Sequence, residues 1–149
     1  MAERAEAGIS IVRVFAAPRE RVWREWTEPE AFADWFGGTD ANVPLESVSM
    51  DVRPGGAWRL TMRFDGSREI LWHGTYLEVE PPERLVFTVA DAPEPEWYEL
   101  VTVDLAELED GSTEMRFSQR GGMTPEAYGH AGSGWSTFFD RVDARLAGG

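Results

Sequence analysis

Apolar and polar positions alternate with a period of two over most of this chain and switch to a period of three to four in three places. That pattern lays out the elements. Ile9, Ile11 and Phe15 alternate with Ser10, Val12 and Val14, with Arg13 at an apolar-face position, which predicts a first strand with one well-buried face. Ala17-Pro18 then opens a helix carrying Glu20 in its first turn and Val22, Trp23 and Trp26 on one side. Pro29 stops that helix and begins another in which Phe32, Trp35 and Phe36 cluster, and Gly37-Gly38 ends it as a C-cap.

From there the period is two. Val48, Met50 and Val52 form one face of a strand that stops at the turn sequence Arg53-Pro54-Gly55-Gly56. Trp58, Leu60, Met62 and Phe64 alternate with Arg59, Thr61 and Arg63 in the clearest strand of the chain, and Asp65-Gly66 is a hairpin signal. Glu69 to Val79 reads as a strand with Trp72 and Tyr76 on one face and Leu71, Leu77 and Val79 on the other. Pro81-Pro82 turns the chain into Leu85, Phe87 and Val89; an acidic, proline-bearing loop follows from Asp91 to Glu96. Val101, Val103 and Leu105 make the next strand, Asp110-Gly111 a hairpin, and Met115 and Phe117 the last strand.

Thr124-Pro125-Glu126 then starts a long helix. Proline suits the first helical position and glutamate the positive end of the dipole. Trp135, Phe138, Phe139, Val142 and Leu146 recur at spacings of three and four and give it a bulky apolar stripe. Gly129, Gly132 and Gly134 precede the stripe, each costing about 1 kcal/mol against alanine inside a helix. They read either as a cavity wall or as a break, with Ser133 capping a second helix. Consecutive hairpins and segregated helices give an α+β class: an antiparallel sheet whose apolar face is covered by the C-terminal helix.

Composition narrows the chemistry. A chain of 149 residues suits one domain that buries roughly two-thirds of its unfolded surface. Residues 1–8 are expected to be flexible and 9–147 to form the domain. No apolar run reaches transmembrane length and Met1 to Ser10 lacks a signal-peptide core, so a cytoplasmic protein without membrane insertion is expected. Zero cysteines exclude disulfides, thiol catalysis and thiolate metal sites. The net charge of −13, with all fourteen basic residues arginine, opposes nucleic-acid binding, and the missing lysine removes Schiff-base chemistry and a P-loop.

The order of elements and several stretches resemble the SRPBCC (START-like, helix-grip) superfamily, and within it the family of the activator of the heat-shock-protein-ninety ATPase in its small stand-alone bacterial form. The stretches are Arg13-Val14-Phe15 with Ala17-Pro18, Val22-Trp23, Trp26-Thr27-Glu28-Pro29-Glu30, Trp35-Phe36-Gly37, Arg53-Pro54-Gly55-Gly56-Ala57-Trp58, Glu78 to Thr88, and Gly134-Trp135. Gly38 stands where proline is common in the family. The resemblance implies a curved sheet of about seven strands gripping the long helix, two short helices closing one end, and a cavity between that takes apolar small molecules. It also implies two alternatives: cyclase- or hydratase-like chemistry in the same cavity, as in some relatives, and a chaperone-interacting module, weakened here by the missing second domain.

Twelve per cent of the chain is aromatic, with seven tryptophans. Trp35, Trp58, Leu60, Met62, Phe64, Trp72, Tyr76, His130, Gly134, Trp135 and Phe138 are therefore the expected ligand-binding set, although core packing accounts for any one of the large side chains equally well. His73 and His130 are the only histidines and have no second ligand at metal-binding spacing, so no metal and no cofactor are expected. His130 is the candidate general acid or base, with a place on a cavity rim as the simpler explanation. The run Gly129 to Gly134 lacks the lysine and parallel sheet of a phosphate loop, and Ser133 lacks the surroundings of a nucleophile. Asp34, Glu69, Glu78 and Glu99 are candidates for a buried carboxylate. The reading favours a small binding protein for an aromatic or lipid-like molecule over an enzyme; a homodimer is compatible with it.

Overall fold

Strand β1 (Ile9–Phe15) forms where the alternation puts it, with Ile9 and Phe15 buried and Val12 and Val14 exposed on the outer face. The structure, a computed structural model, describes residues 8–38, 41–65 and 68–147. The expected flexible tail lies outside the described residues except for Gly8, and so does Gly66 of the Asp65-Gly66 hairpin. Phe64 N–H donates to the Arg68 carbonyl across that hairpin at 2.9 Å.

Helices α1 (Arg19–Thr27) and α2 (Pro29–Trp35) meet at Glu28, whose N–H closes α1 on Arg24 and whose carbonyl receives the Phe32 N–H of α2. Gly37 and Gly38 leave α2 with φ of +103° and +65°, a region that favours glycine. The sheet is then continuous: β2 (Ser49–Met50), β3 (Ala57–Arg63), β4 (Glu69–Glu80), β5 (Arg84–Val89), β6 (Glu99–Glu107) and β7 (Thr113–Arg120). Its seven strands run in the order β1-β7-β6-β5-β4-β3-β2, every pair antiparallel. The α+β helix-grip reading holds.

Two strands depart from their sequence reading. The strand expected across Val48 to Val52 shrinks to Ser49–Met50. Leu45–Ser47 winds as a 3-10 turn before it, and Asp51 to Gly56 folds into a turn in which Arg53 binds Asp51 through backbone and side chain. In β4 the inward set is Trp72 and Tyr76, but a bulge between Tyr76 and Glu78 inserts Leu77 and turns Val79 inward as well. Leu77 is left exposed.

Helix α3 (Pro125–Ala147) crosses the concave face as one uninterrupted helix, so the break suggested by its glycines does not occur. Thr124 caps it, accepting the Ala127 N–H at 3.1 Å. Its stripe of Tyr128, Trp135, Phe139, Val142 and Leu146 is buried. Trp135 and Phe139 join Trp26 and Phe117 in a cluster of rings with centroids 4.6 to 6.2 Å apart. Arg13 explains its own apolar-face position: its guanidinium donates to the Ser136 carbonyl at 3.0 Å and pairs with Asp140, clamping β1 to α3. At the other end Arg145 pairs with buried Glu25 of α1 at 2.6 Å and with Asp34 of α2. Among the described residues, no helix is long and apolar enough to cross a membrane.

Candidate functional site

The period of α3 decides where space is left. Ala127, Ala131 and Gly134 follow one another at spacings of four and three, so three small residues share one helix face, and a Cβ added at Gly134 would meet nothing within 4 Å. Trp135 and Phe138 bound that face on the C-terminal side. The result is a cleft of about 640 Å³ between α3 and the sheet. Its floor is Trp72 of β4, Val89 of β5, Glu99 of β6 and Gln119 of β7; Phe36 closes one end and the loop from Ala90 to Trp97 the other.

The three glycines have three different duties. Gly134 lines the cleft, whereas Gly132 faces β1, where an added Cβ would touch Ile9 at 3.7 Å. Gly129 is exposed with open space beside it. Only one of the three therefore belongs to a cavity wall.

A chain of hydrogen bonds crosses the inner end of this otherwise apolar cleft. Trp135 Nε1 donates to Gln119 Oε1 at 2.8 Å, and Gln119 Nε2 donates to Glu99 Oε1 at 2.9 Å. Glu99 Oε2 receives Trp97 Nε1 at 2.6 Å and the Gly122 N–H at 3.0 Å. Glu99 and Gln119 are 7% and 6% exposed, so both polar groups are held inside. The turn after β7 is shaped around them: a Cβ on Gly121 would lie 1.9 Å from Glu99 Oε2, and one on Gly122 would lie 2.8 Å from the Trp97 ring. Beside them, burial and then the hydrogen bond to Glu99 raise the pKa of the Tyr128 phenol. Trp72 Nε1 is buried at the cleft without an acceptor.

Of the expected ligand-binding residues, the structure brings Trp72, His130, Gly134, Trp135 and Phe138 together in the cleft. The others pack elsewhere. Trp35 is fully buried with its Nε1 on the Glu25 carbonyl at 2.8 Å, and Trp58 holds the Thr88 carbonyl at 2.9 Å. Leu60, Met62 and Tyr76 are core, because the end of α2 fills the space over β3: Phe32 meets the Trp58 ring, and Met62 Cε lies against Gly37. Phe64 is half-buried under the Arg68 guanidinium, 4.7 Å from its ring centre. Of the four candidate carboxylates, Asp34, Glu69 and Glu78 are taken up in ion pairs with arginines, and Glu99 is in the cleft.

Sequence reasoning passed over Phe36, Trp97, Gln119 and Met123 as lining residues. The signal for Gln119 was present, since it continues the inward phase of Met115 and Phe117. Gly121-Gly122 was the overlooked mark of a carboxylate pressed against backbone. His130 sits exposed on the rim, and His73 Nε2 lies 2.7 Å from the Ala92 carbonyl, outside the cleft. Among the described residues no three His, Asp or Glu side chains gather in a metal-binding group.

A family model described as Activator of Hsp90 ATPase homolog 1-like protein matches residues 16–147. No curated protein matches the chain. Among solved structures, a protein of Chromobacterium violaceum is 29% identical, with a TM-score of 0.81 over 94% of this chain and 96% of its own. One from Nitrosomonas europaea is 24% identical, with a TM-score of 0.78 over 96% of both chains. The AHSA1 protein of Silicibacter pomeroyi is 19% identical, with a TM-score of 0.83 over 95% of this chain and 98% of its own. The latter two are likenesses of fold alone.

Proposed function

We propose, on the premise that this chain belongs to the family of Activator of Hsp90 ATPase homolog 1-like proteins, that it binds an apolar small molecule in the cleft between the sheet and α3. The observation that carries the reading is the small-residue face of Ala127, Ala131 and Gly134. A helix that crosses a sheet fills the gap with large side chains unless something else occupies it, because interiors pack with few voids. Aromatic rings of Phe36, Trp72, Trp135 and Phe138 bound the resulting space.

Binding fits better than proton transfer. Glu99 accepts three N–H donors and is fixed by the glycine turn, a geometry that orients a charge rather than passes a proton. Thermal-shift screening of a broad library of apolar compounds, followed by native mass spectrometry, tests the reading. Stoichiometric binders that raise the melting temperature are expected, and a library without one would overturn it.

A further inference from the structure

The charge of the cleft is one-sided. Glu99 stands at its base and Asp91 and Glu96 at its exposed mouth; among the described residues that line it none is an arginine, and His130 at the rim is the one basic side chain. Glu99 is more than nine-tenths buried, and each N–H that it accepts comes from a neutral group: the Trp97 indole, the Gln119 amide and the Gly122 backbone. Neutral donors solvate a carboxylate but leave its charge in place, and in a low-dielectric cleft that charge acts strongly on whatever enters. A carboxylate or phosphate headgroup would be driven against it.

The rings are arranged to match. Phe36 meets Trp72 at 89° and Trp135 at 66°, with centroids 5.8 and 5.7 Å away, and Phe138 stands 5.3 Å from Phe36. All four of these rings line the cleft, so an occupant is bounded by aromatic surface on that side. The face of an aromatic ring carries negative potential and attracts a cation, most strongly for tryptophan.

We propose that the occupant of the cleft is an apolar cation, an aromatic or alkyl amine or quaternary ammonium, with its apolar body between the sheet and α3 and its charge toward Glu99. This rests on the reading that the cleft binds apolar molecules. It adds that a fatty acid or other anionic amphiphile is excluded.

The test is a matched series that shares one apolar body: naphthalen-2-ylmethyl-trimethylammonium, naphthalen-2-ylmethanol and naphthalene-2-carboxylate, titrated by calorimetry in 0.5 M and in low salt. The ammonium is expected to bind about ten-fold more tightly than the alcohol in both salts, with the carboxylate weakest. Glu99→Gln is expected to cut the ammonium's preference over the alcohol several-fold, read as the ratio of the two affinities in the same variant. The paired variant Asp91→Asn with Glu96→Gln, at exposed positions, weakens the ammonium several-fold without touching the Glu99 network. Equal binding of ammonium and alcohol, a preference that vanishes in 0.5 M salt, or one that survives both variants overturns the charge inference while the apolar cleft stands. If none of the three binds, the charge inference falls, and the broad apolar library decides the cleft reading separately.

Discussion

Trp135 donates its indole N–H to Gln119 Oε1 at 2.8 Å, and this bond fixes which way the Gln119 amide faces. With its oxygen turned to the helix, its nitrogen must point at Glu99, where it donates at 2.9 Å. Gln119→Glu keeps the acceptor for Trp135 but sets a second carboxylate against Glu99. Two buried carboxylates at that distance hold a proton between them, so the folded state binds it more tightly than the unfolded state does. Stability then falls as pH rises. Urea melts should place the variant near the wild type at about pH 5 and about 2–4 kcal/mol below it at pH 8. A pH profile parallel to the wild type's would mean that the amide does not face Glu99.

Gly121 is required by contact rather than by backbone angle. An alanine Cβ there would lie 1.9 Å from Glu99 Oε2, so the turn or the carboxylate must move, and either movement breaks bonds to a buried charge. Gly121→Ala should destabilise the fold by about 2–4 kcal/mol. In a Glu99→Ala background the obstacle is gone, and the same substitution should cost under about 1 kcal/mol. Chemical denaturation of the four proteins of this cycle measures the coupling. Simple additivity would deny that the glycine exists to admit the carboxylate.

The buried phenols set the alkaline limit. Burial, and then the charge of Asp51, hold the pKa of Tyr76 above its ordinary value of 10.0, and burial with the Glu99 hydrogen bond raises that of Tyr128. A raised folded pKa means that stability is fully present below the unfolded value and is lost as pH climbs past it. Above about pH 10 Tyr76 should therefore remove up to about 1.4 kcal/mol per pH unit, and the more solvent-screened Tyr128 less. Tyr76→Phe has no proton to lose and should flatten that limb, with the remaining slope belonging to Tyr128. Melting curves between about pH 8 and 11 check it, and an unchanged slope in Tyr76→Phe would count against the assignment.

The element order, the sheet and the covering helix were legible because each rests on a local period: Trp58, Leu60 and Met62 for a strand, Trp135, Phe139 and Val142 for a helix. The cleft was legible only in part. Alternation puts Trp58 and Trp72 on the same concave face, but it cannot say that α2 covers one and leaves the other open. Glu99 was in phase with Val101, Val103 and Leu105 all along, yet two of its three N–H partners lie 20 and 23 residues away across a pairing set by register. The strand around Met50 and the inward turn of Val79 were misjudged for a shared reason. A tight turn and a bulge each override period two at a single residue.

Gly129 and Gly134 are the same residue in the same helix, five positions apart, and substitution should separate them. Leucine at either site removes a poor helix former from a helix interior and gains about 0.5–1 kcal/mol. Both sites have open space around the new Cβ, so neither variant is strained at the backbone. At Gly134, however, the added side chain enters the cleft and meets Phe36, Trp72 and Phe138, burying apolar surface that a ligand would otherwise cover. Gly134→Leu should thus raise the melting temperature and weaken an apolar ligand by at least about ten-fold. Gly129→Leu should raise the melting temperature and leave binding alone. Calorimetric titration of both with the tightest compound from the apolar library tells them apart. Retention of full affinity in Gly134→Leu would place the ligand somewhere other than beneath this face of the helix.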